Sequence, residues 1–86
     1  MNVVKTVVKC KVGVHARPAS MLVKLSDEYR SKIEIEFKGK TIGINSIIGL
    51  LGLGVKCNDE IIVKADGEDE VDAVAAVIEL LQQSEI

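Results

Sequence analysis

The only histidine of the chain lies in a segment whose residue types suit the transfer of an anionic group. One residue separates His15 from Arg17, and Pro18, the only proline, follows directly. Because proline is tolerated in the first turn of a helix, this order predicts a helix that begins at His15–Ala16. The free amide groups and positive dipole end of a helix favour an anion, which a guanidinium can hold with two more hydrogen bonds. The simplest chemistry for this segment is a phosphoryl group carried on an imidazole nitrogen of His15.

Three neighbouring residues have supporting roles in this hypothesis. Arg17 is expected to orient the phosphoryl group and to stabilise charge during its transfer. Gly13 permits a tight approach to the helix, and Pro18 sets the helix register. Taken on its own, the segment also fits a histidine that only caps a helix beside a solvated arginine.

Hydrophobic periodicity predicts the elements that position this segment. Clustered β-branched residues predict a first strand, and apolar side chains at helical spacing predict an amphipathic helix after it. Alternating residues around Lys38-Gly39 predict a β-hairpin with a two-residue turn. In chain order the predicted elements are a strand over Val3–Lys9, a helix over Ala16–Tyr29, a hairpin of Ile33–Phe37 with Ile42–Ile44, a short helix after Ser46, a strand over Glu60–Ala65 and a helix over Val71–Leu81. This order predicts an α+β fold with helices over one face of an antiparallel sheet.

A second segment of interest runs from Ser46 to Leu53. Ser46 is a natural N-cap, because its hydroxyl can accept a hydrogen bond from an amide two or three residues later. The segment carries five large aliphatic residues, more than one face of a short helix can bury. Ile47, Ile48 and Leu51 can be interpreted as core, but we expect some of them to stay exposed as an apolar partner site rimmed by lysines.

The charges are distributed unevenly along the 86 residues. Residues 1–57 contain ten Lys or Arg and four Asp or Glu, whereas residues 58–86 contain one Lys and nine Asp or Glu. The His15 segment belongs to the basic part, which suits a phosphate or an acidic protein partner. Nucleic acid is a weaker interpretation, because the net charge is −2 and the chain has only two aromatic residues. The length predicts one domain over residues 1–86 with its function on the surface.

Cysteine usage and hydropathy predict a cytoplasmic protein without a metal or cofactor. Cys10 and Cys57 are separated by 47 positions and form no Cys-x-x-Cys pair, and a zinc site with one histidine would need carboxylate ligands. Two buried or idle thiols are the better interpretation. The N-terminus shows no apolar signal region, and the longest apolar run, Ile47–Val55, has nine residues. A membrane helix needs roughly 20.

These motifs resemble the HPr family, the histidine-containing phosphocarrier proteins of the bacterial sugar phosphotransferase system. The main motifs are Gly-Val-His-Ala-Arg-Pro-Ala over residues 13–19 and Asn-Ser-Ile-Ile-Gly-Leu-Leu-Gly-Leu over residues 45–53. Lesser matches are Gly39-Lys40 and the Gly-Glu-Asp-Glu of residues 67–70. The resemblance covers essentially the whole chain, and the two main motifs stand at the expected separation.

The resemblance implies a fold and a function. The fold is an open-faced β-sandwich, with a four-stranded antiparallel sheet in the order 1-4-2-3 and three helices on one face. His15 accepts a phosphoryl group from phosphorylated Enzyme I, as tele- or pros-phosphohistidine, and passes it to sugar-specific IIA components. The protein is then a monomeric carrier and not an enzyme. The residues expected to contact partners are Ala16, Ser20, Lys24, Ile47, Ile48, Gly49 and Leu51.

The resemblance also implies regulation. In members from low-GC Gram-positive bacteria, the serine that matches Ser46 is phosphorylated by the ATP-dependent HPr kinase/phosphorylase. The phosphorylated form slows carrier traffic and binds a catabolite-control transcription factor. A phosphate at a helix N-terminus is electrostatically favourable, so the modification is compatible with an N-cap role for Ser46.

The chain departs from the family pattern at several positions around these motifs. Val12 replaces a small polar residue found in many members, and Ile48 replaces a frequent methionine or phenylalanine. Asn45 replaces a common lysine, and Asp27 stands where a second basic residue often lies near Lys24. These changes reduce the basic rim and alter the affinity expected for Enzyme I.

Two other functions compete with the carrier. A regulatory paralogue would act only through Ser46 and the adjacent apolar helix, but such a variant is expected to lack the active histidine that His15 supplies. A protein-interaction or ligand-binding module would use His15 only as a helix cap. Phosphorylation by Enzyme I and phosphoenolpyruvate separates these alternatives.

Overall fold

The computed structural model describes residues 1–11, 14 and 16–83 of the chain. Within these ranges the chain forms four strands and three helices. In chain order they are β1 (Asn2–Val7), α1 (Ala16–Ser26), β2 (Lys32–Phe37), β3 (Lys40–Gly43), α2 (Ile47–Gly52), β4 (Glu60–Asp66) and α3 (Glu70–Leu81). The predicted α+β element order is therefore confirmed.

The four strands form one antiparallel sheet in the order β1-β4-β2-β3. Side chains alternate between the two faces of a strand, and one face of β2 and β4 is buried. The helices pack on that face, with α3 against β1, β2 and β4, and α2 against β3. The buried residues of these strands are Ile33, Ile35, Phe37, Ile61, Val63 and Ala65. The open-faced sandwich with strand order 1-4-2-3 is thus confirmed.

The β2–β3 hairpin turns at the two predicted residues. Phe37 pairs with Lys40, which leaves Lys38 and Gly39 as the whole loop. Both have positive φ angles, 50° and 82°, as a type I′ turn requires. This turn matches the twist of the flanking strands, so local sequence is enough to set the register of the hairpin.

β1 and α1 both end earlier than their periodicity suggests. β1 stops at Val7, and the amide of Lys9 then donates to the carbonyl of Leu81 at 2.8 Å, at the end of α3. α1 stops at Ser26 rather than Tyr29. Further along the chain, the amide of Arg30 donates to Asp69 Oδ2 at 2.9 Å, so a contact with a residue distant in sequence follows each of these ends.

Candidate functional site

Near the predicted site, a helix begins at the position that the sequence predicts. α1 starts at Ala16, and Pro18 occupies its first turn with its side chain buried. Before the helix, the amide of Val14 donates to the carbonyl of Val55 at 2.9 Å, and Val14 is buried. The start of α1 is therefore anchored to the segment that connects α2 to β4.

Two predicted site residues, His15 and Gly13, lie outside the described residues, as does Val12. The roles predicted for His15 and Gly13 therefore remain predictions from the sequence. What the structure contributes is the environment that the flanking residues, Val14 and α1, create.

The first turn of α1 is electropositive. The helical amides that have no acceptor within α1 are those of Ala16 and Arg17, because Pro18 has no N–H. No acidic residue lies in this turn, and Arg17 is exposed. None of the ion pairs found among the described residues includes Arg17. The helix dipole and the guanidinium therefore both favour an anion at this end of α1.

The N-terminus of α3 has the opposite character. Its first turn contains Glu70 and Asp72, and Asp69 stands at its N-cap. These carboxylates already complement the positive end of the α3 dipole. The first turn of α1 has no such carboxylates, so its positive potential remains available to a phosphoryl group.

α1 exposes the face on which the sequence predicts contacts with partner proteins. Ala16, Ser20 and Lys24 are all exposed, and they recur at the four-residue spacing of one helix face. The buried residues of α1 are Pro18, Ala19 and Leu22. The three predicted contact residues of α1 are therefore accessible.

α2 exposes most of its aliphatic side chains. Its one buried residue is Leu50, whereas Ile47 is 38% exposed, Ile48 82% and Leu51 42%. α2 packs against α1 and against β3. We call Ile47, Ile48 and Leu51 the α2 patch. The expectation that part of this segment stays exposed is confirmed, while partner contact there remains a prediction.

Ser46 is the N-cap of α2, as predicted. Its hydroxyl oxygen accepts a hydrogen bond from the amide of Gly49 at 3.1 Å, and Ser46 is exposed. Gly49 is half-buried, and a Cβ there would lie 2.7 Å from Ile42 Cγ2 and 3.1 Å from Ser46 Oγ. Gly49 thus allows α2 to approach β3 closely while its amide donates to the Ser46 cap. The sequence prediction did not include this packing role.

The two cysteines have structural surroundings. Cys10 is fully buried, and its thiol donates to the carbonyl of Leu81 at 3.5 Å. Burial raises the pKa of the Cys10 thiol, which keeps it protonated and poorly nucleophilic. Cys57 is half-buried, and neither Cys10 nor Cys57 forms a disulfide. Among the described residues, no three His, Cys, Asp or Glu side chains come close enough together to hold a metal ion.

Sequence reasoning missed two features that the fold creates. Asp69 binds the chain just before β2 by three hydrogen bonds, from the amides of Arg30 and Ser31 and from the Ser31 hydroxyl. Asp27 and Asn45 line one polar recess. Neither feature has a local sequence signal, because each joins residues far apart in the chain.

Within the described ranges, no helix has the length and hydropathy needed to cross a bilayer.

Comparison with known proteins places this site in a family context. A family model described as the PTS HPr component phosphorylation site matches residues 4–83. A crystal structure of HPr-C-His from Thermoanaerobacter tengcongensis is 34% identical, with a TM-score of 0.89 over 95% of this chain and 92% of that one. The phosphocarrier protein HPr from Bacillus anthracis is 30% identical, with a TM-score of 0.90 over 94% and 96%.

A third similar structure is that of a protein named for catabolite repression. It is Crh, the catabolite repression containing protein of Bacillus subtilis, described as a dimer with domain swapping. It is 32% identical to this chain, with a TM-score of 0.77 over 100% of this chain and 99% of that one.

Proposed function

Since the chain belongs to the HPr family, whose members are phosphocarrier proteins of the phosphotransferase system rather than enzymes, we propose that it carries a phosphoryl group on His15. The donor is phosphorylated Enzyme I, and the acceptors are sugar-specific IIA components. The observation that carries this proposal is the start of α1 at Ala16, directly after His15, with Arg17 exposed and no acidic residue in the first turn.

The chemistry needs a nucleophile that is active near neutral pH and a bond that is readily passed on. A neutral imidazole nitrogen of His15 attacks the phosphorus, the N–P bond forms, and the bond to the donor breaks. Arg17 can contact two phosphoryl oxygens at once, because its guanidinium presents paired N–H donors. The amides of the first turn of α1 add neutral donors. The group then leaves by the same route to the next acceptor.

The α2 patch supports a docking role beside this site. Three large aliphatic side chains on a six-residue helix are exposed, and α2 packs directly against α1, which carries Arg17. An apolar centre next to cationic groups suits an acidic partner surface with an apolar centre of its own. We assign Enzyme I and the IIA components to this surface in turn, since all of them must reach His15.

Incubation with phosphoenolpyruvate and Enzyme I tests the carrier function. We expect an adduct of about +80 Da, the mass of one phosphoryl group, that is acid-labile and base-stable, as a phosphoramidate is. His15→Ala should abolish it. A second incubation with a IIA component should remove the adduct from the wild-type protein. No adduct on the wild type, or an unchanged adduct on His15→Ala, contradicts the proposal.

A regulatory function through Ser46 is a second candidate. Ser46 is exposed at the N-terminus of α2, and a phosphate there would gain from the free amides of the helix start. The likeness to Crh, named for catabolite repression, also favours it. Incubation with ATP and HPr kinase/phosphorylase should add an acid-stable phosphate that Ser46→Ala lacks. The modified protein should then bind the catabolite-control transcription factor, and its failure to do so contradicts this candidate.

We also propose that the carrier works in the cytoplasm as a monomer. Its donor system uses phosphoenolpyruvate, and each partner in turn must reach the same face of α1 and α2. Light scattering coupled to size exclusion should give a mass near 9.3 kDa. A mass near twice that value would contradict a monomer and indicate a dimer, as described for Crh.

A further inference from the structure

A polar recess of about 230 Å³ lies where α1 ends and where β3 leads into α2. Ser26 and Asp27 contribute from the end of α1, and Gly43 and Asn45 contribute from the turn before α2. Residues 31–33 complete the lining from the start of β2. We call this the Asp27 recess. Three separate parts of the chain meet there, so a bound group would be held from several sides.

The hydroxyl groups of the recess act as acceptors. The Ser26 hydroxyl donates its proton to the Val23 carbonyl at 2.6 Å. The Ser31 hydroxyl donates its proton to Asp69 Oδ1, also at 2.6 Å. A serine hydroxyl has only one proton to give, so the remaining capacity of both oxygens is to accept.

Asp27 adds negative charge to a place of negative potential. It directly follows α1, at the end where the helix dipole is negative. No ion pair found among the described residues includes Asp27. Asn45 adds an amide oxygen beside Gly43, 2.7 Å from where a Cβ on that glycine would lie. The residues that line the recess thus include a carboxylate, an amide group and two serines whose hydroxyl protons are already donated.

Lys32 also lines the recess, but its side chain is paired with Glu34. Its Nζ lies 3.9 Å from Glu34 Oε2, and its side chain is 78% exposed. The Glu34 carboxylate therefore offsets the positive charge of Lys32 beside the recess. The recess therefore keeps its preference for a cation.

We propose that the Asp27 recess binds an arginine side chain of a partner protein that docks on α1 and α2. A guanidinium has five N–H donors in a planar fork, which suits acceptors that come from separate elements. An ammonium is compact and reaches fewer of them. A divalent metal ion fits poorly, because Asp27 is the only carboxylate among the described residues that line the recess. The identity of the partner rests on the proposed function, whereas the cation preference of the recess does not.

This assignment sets the orientation of the partner. Arg17 lies at the start of α1 and Asp27 just beyond its end, roughly ten helical residues and about 15 Å away at 1.5 Å per residue. A matching partner presents an acidic group toward Arg17 and an arginine toward Asp27. A partner with the reverse polarity is repelled at both ends, so the recess contributes to specificity as well as affinity.

An NMR titration tests the recess directly. The ¹⁵N-labelled full chain is titrated with N-acetyl-arginine amide at constant ionic strength, in parallel with N-acetyl-lysine amide, MgCl₂ and CaCl₂. We expect saturable shifts of the Asp27, Gly43 and Asn45 amides with the arginine compound, at least threefold weaker binding in Asp27→Asn, and wild-type binding in Glu28→Gln. Glu28 is the matched control, because it is the next residue, carries the same charge and does not line the recess.

Three results would overturn the inference. One is the absence of saturable shifts at these amides. Another is equal weakening by Asp27→Asn and Glu28→Gln, which would indicate nonspecific charge attraction. The third is saturation of the same amides by MgCl₂ or CaCl₂ at lower concentration than by the arginine compound, which would make the recess a metal site.

Phosphotransfer kinetics extend the test to the proposed partners. Asp27→Asn should raise the KM for Enzyme I or a IIA component about threefold or more, with kcat unchanged, and Glu28→Gln should not. Equal KM values for the two variants with every partner would overturn the docking role. A wild-type protein that accepts no phosphate at all would instead refute the carrier function, and the titration would still decide the chemistry of the recess.

Discussion

The Ser31 hydroxyl donates a 2.6 Å hydrogen bond to Asp69 Oδ1, across 38 positions of the sequence. The same carboxylate accepts the amides of Ser31 and Arg30, both at 2.9 Å. Gly67 fits beside this contact, since a Cβ there would lie 2.6 Å from the Ser31 Cα. One carboxylate thus joins the chain before β2 to the start of α3.

This contact predicts a loss of stability in acid. The Ser31 hydroxyl, followed by the amide of Arg30, lowers the pKa of Asp69 below its ordinary value near 3.9. A group whose pKa is lower in the folded state stabilises the protein above its unfolded pKa, and that contribution disappears as the pH falls through the folded pKa. Urea unfolding midpoints should therefore fall as the pH drops below about 4.

Asp69→Asn should reduce the stability at pH 7 and flatten this pH dependence. An asparagine cannot accept all three hydrogen bonds, because its amide nitrogen would face a donor. Asp72→Asn is the matched control, an exposed acid in the first turn of the same helix that makes no described side-chain hydrogen bond. A pH dependence in Asp69→Asn that equals that of the wild type would contradict this explanation.

Arg17→Lys should slow phosphoryl transfer without affecting the fold. Lysine keeps the charge but loses the paired donors, so we expect a rate lower by about tenfold or more in rapid-quench transfer from Enzyme I. The free energy of unfolding should change by no more than about 0.5 kcal/mol, because Arg17 is exposed. Equal rates for the two proteins would remove the guanidinium from the mechanism.

Ser46→Asp should slow transfer from Enzyme I by placing a negative charge beside the α2 patch. Ser46→Asn is the control, since asparagine caps a helix about as well as serine or aspartate but is neutral. We expect a higher KM for Enzyme I with aspartate than with asparagine, and similar unfolding midpoints for both. Ser46→Ala should cost about 1 kcal/mol through the lost cap. If aspartate and asparagine give the same KM, charge is not the cause.

Two glycines of α2 should respond oppositely to alanine. A Cβ on Gly49 would lie 2.7 Å from Ile42 Cγ2, whereas a Cβ on Gly52 would meet nothing within 4 Å. Gly49→Ala should therefore destabilise the protein by about 1–3 kcal/mol. Gly52→Ala should stabilise it by up to about 1 kcal/mol, because alanine is the better helix former. Chemical denaturation of both variants measures the difference, and equal effects would show that α2 does not pack as described.

Ile48→Ala should weaken partner binding and leave stability almost unchanged. Its side chain is 82% exposed, so truncation removes little buried area. Val71→Ala is the control, because Val71 is 67% exposed and lies on α3 rather than on α2. Calorimetric titration with Enzyme I should show a several-fold higher Kd for Ile48→Ala only. Equal effects of the two variants would exclude the α2 patch as the docking site.

Much of the candidate site was predictable because its signals are local. Within a helix, proline is well tolerated only in the first turn, so the position of Pro18 predicts the start of α1 at Ala16. Ser46 caps α2 through an amide three residues away. The role of His15 also comes from the sequence, through its neighbours and the family motif.

The amino-acid sequence by itself determined the element order, the Lys38-Gly39 turn and the start of α1, since each depends on interactions within a few residues. Only the tertiary structure decided that α1 ends at Ser26, that Asp69 binds Ser31, and that Leu50 is buried while Ile48 is exposed. Hydrophobicity alone cannot distinguish two aliphatic residues of one short helix. The surface that each one faces is set by where distant strands and helices pack, and the same packing brings Asp27 and Asn45 to one recess.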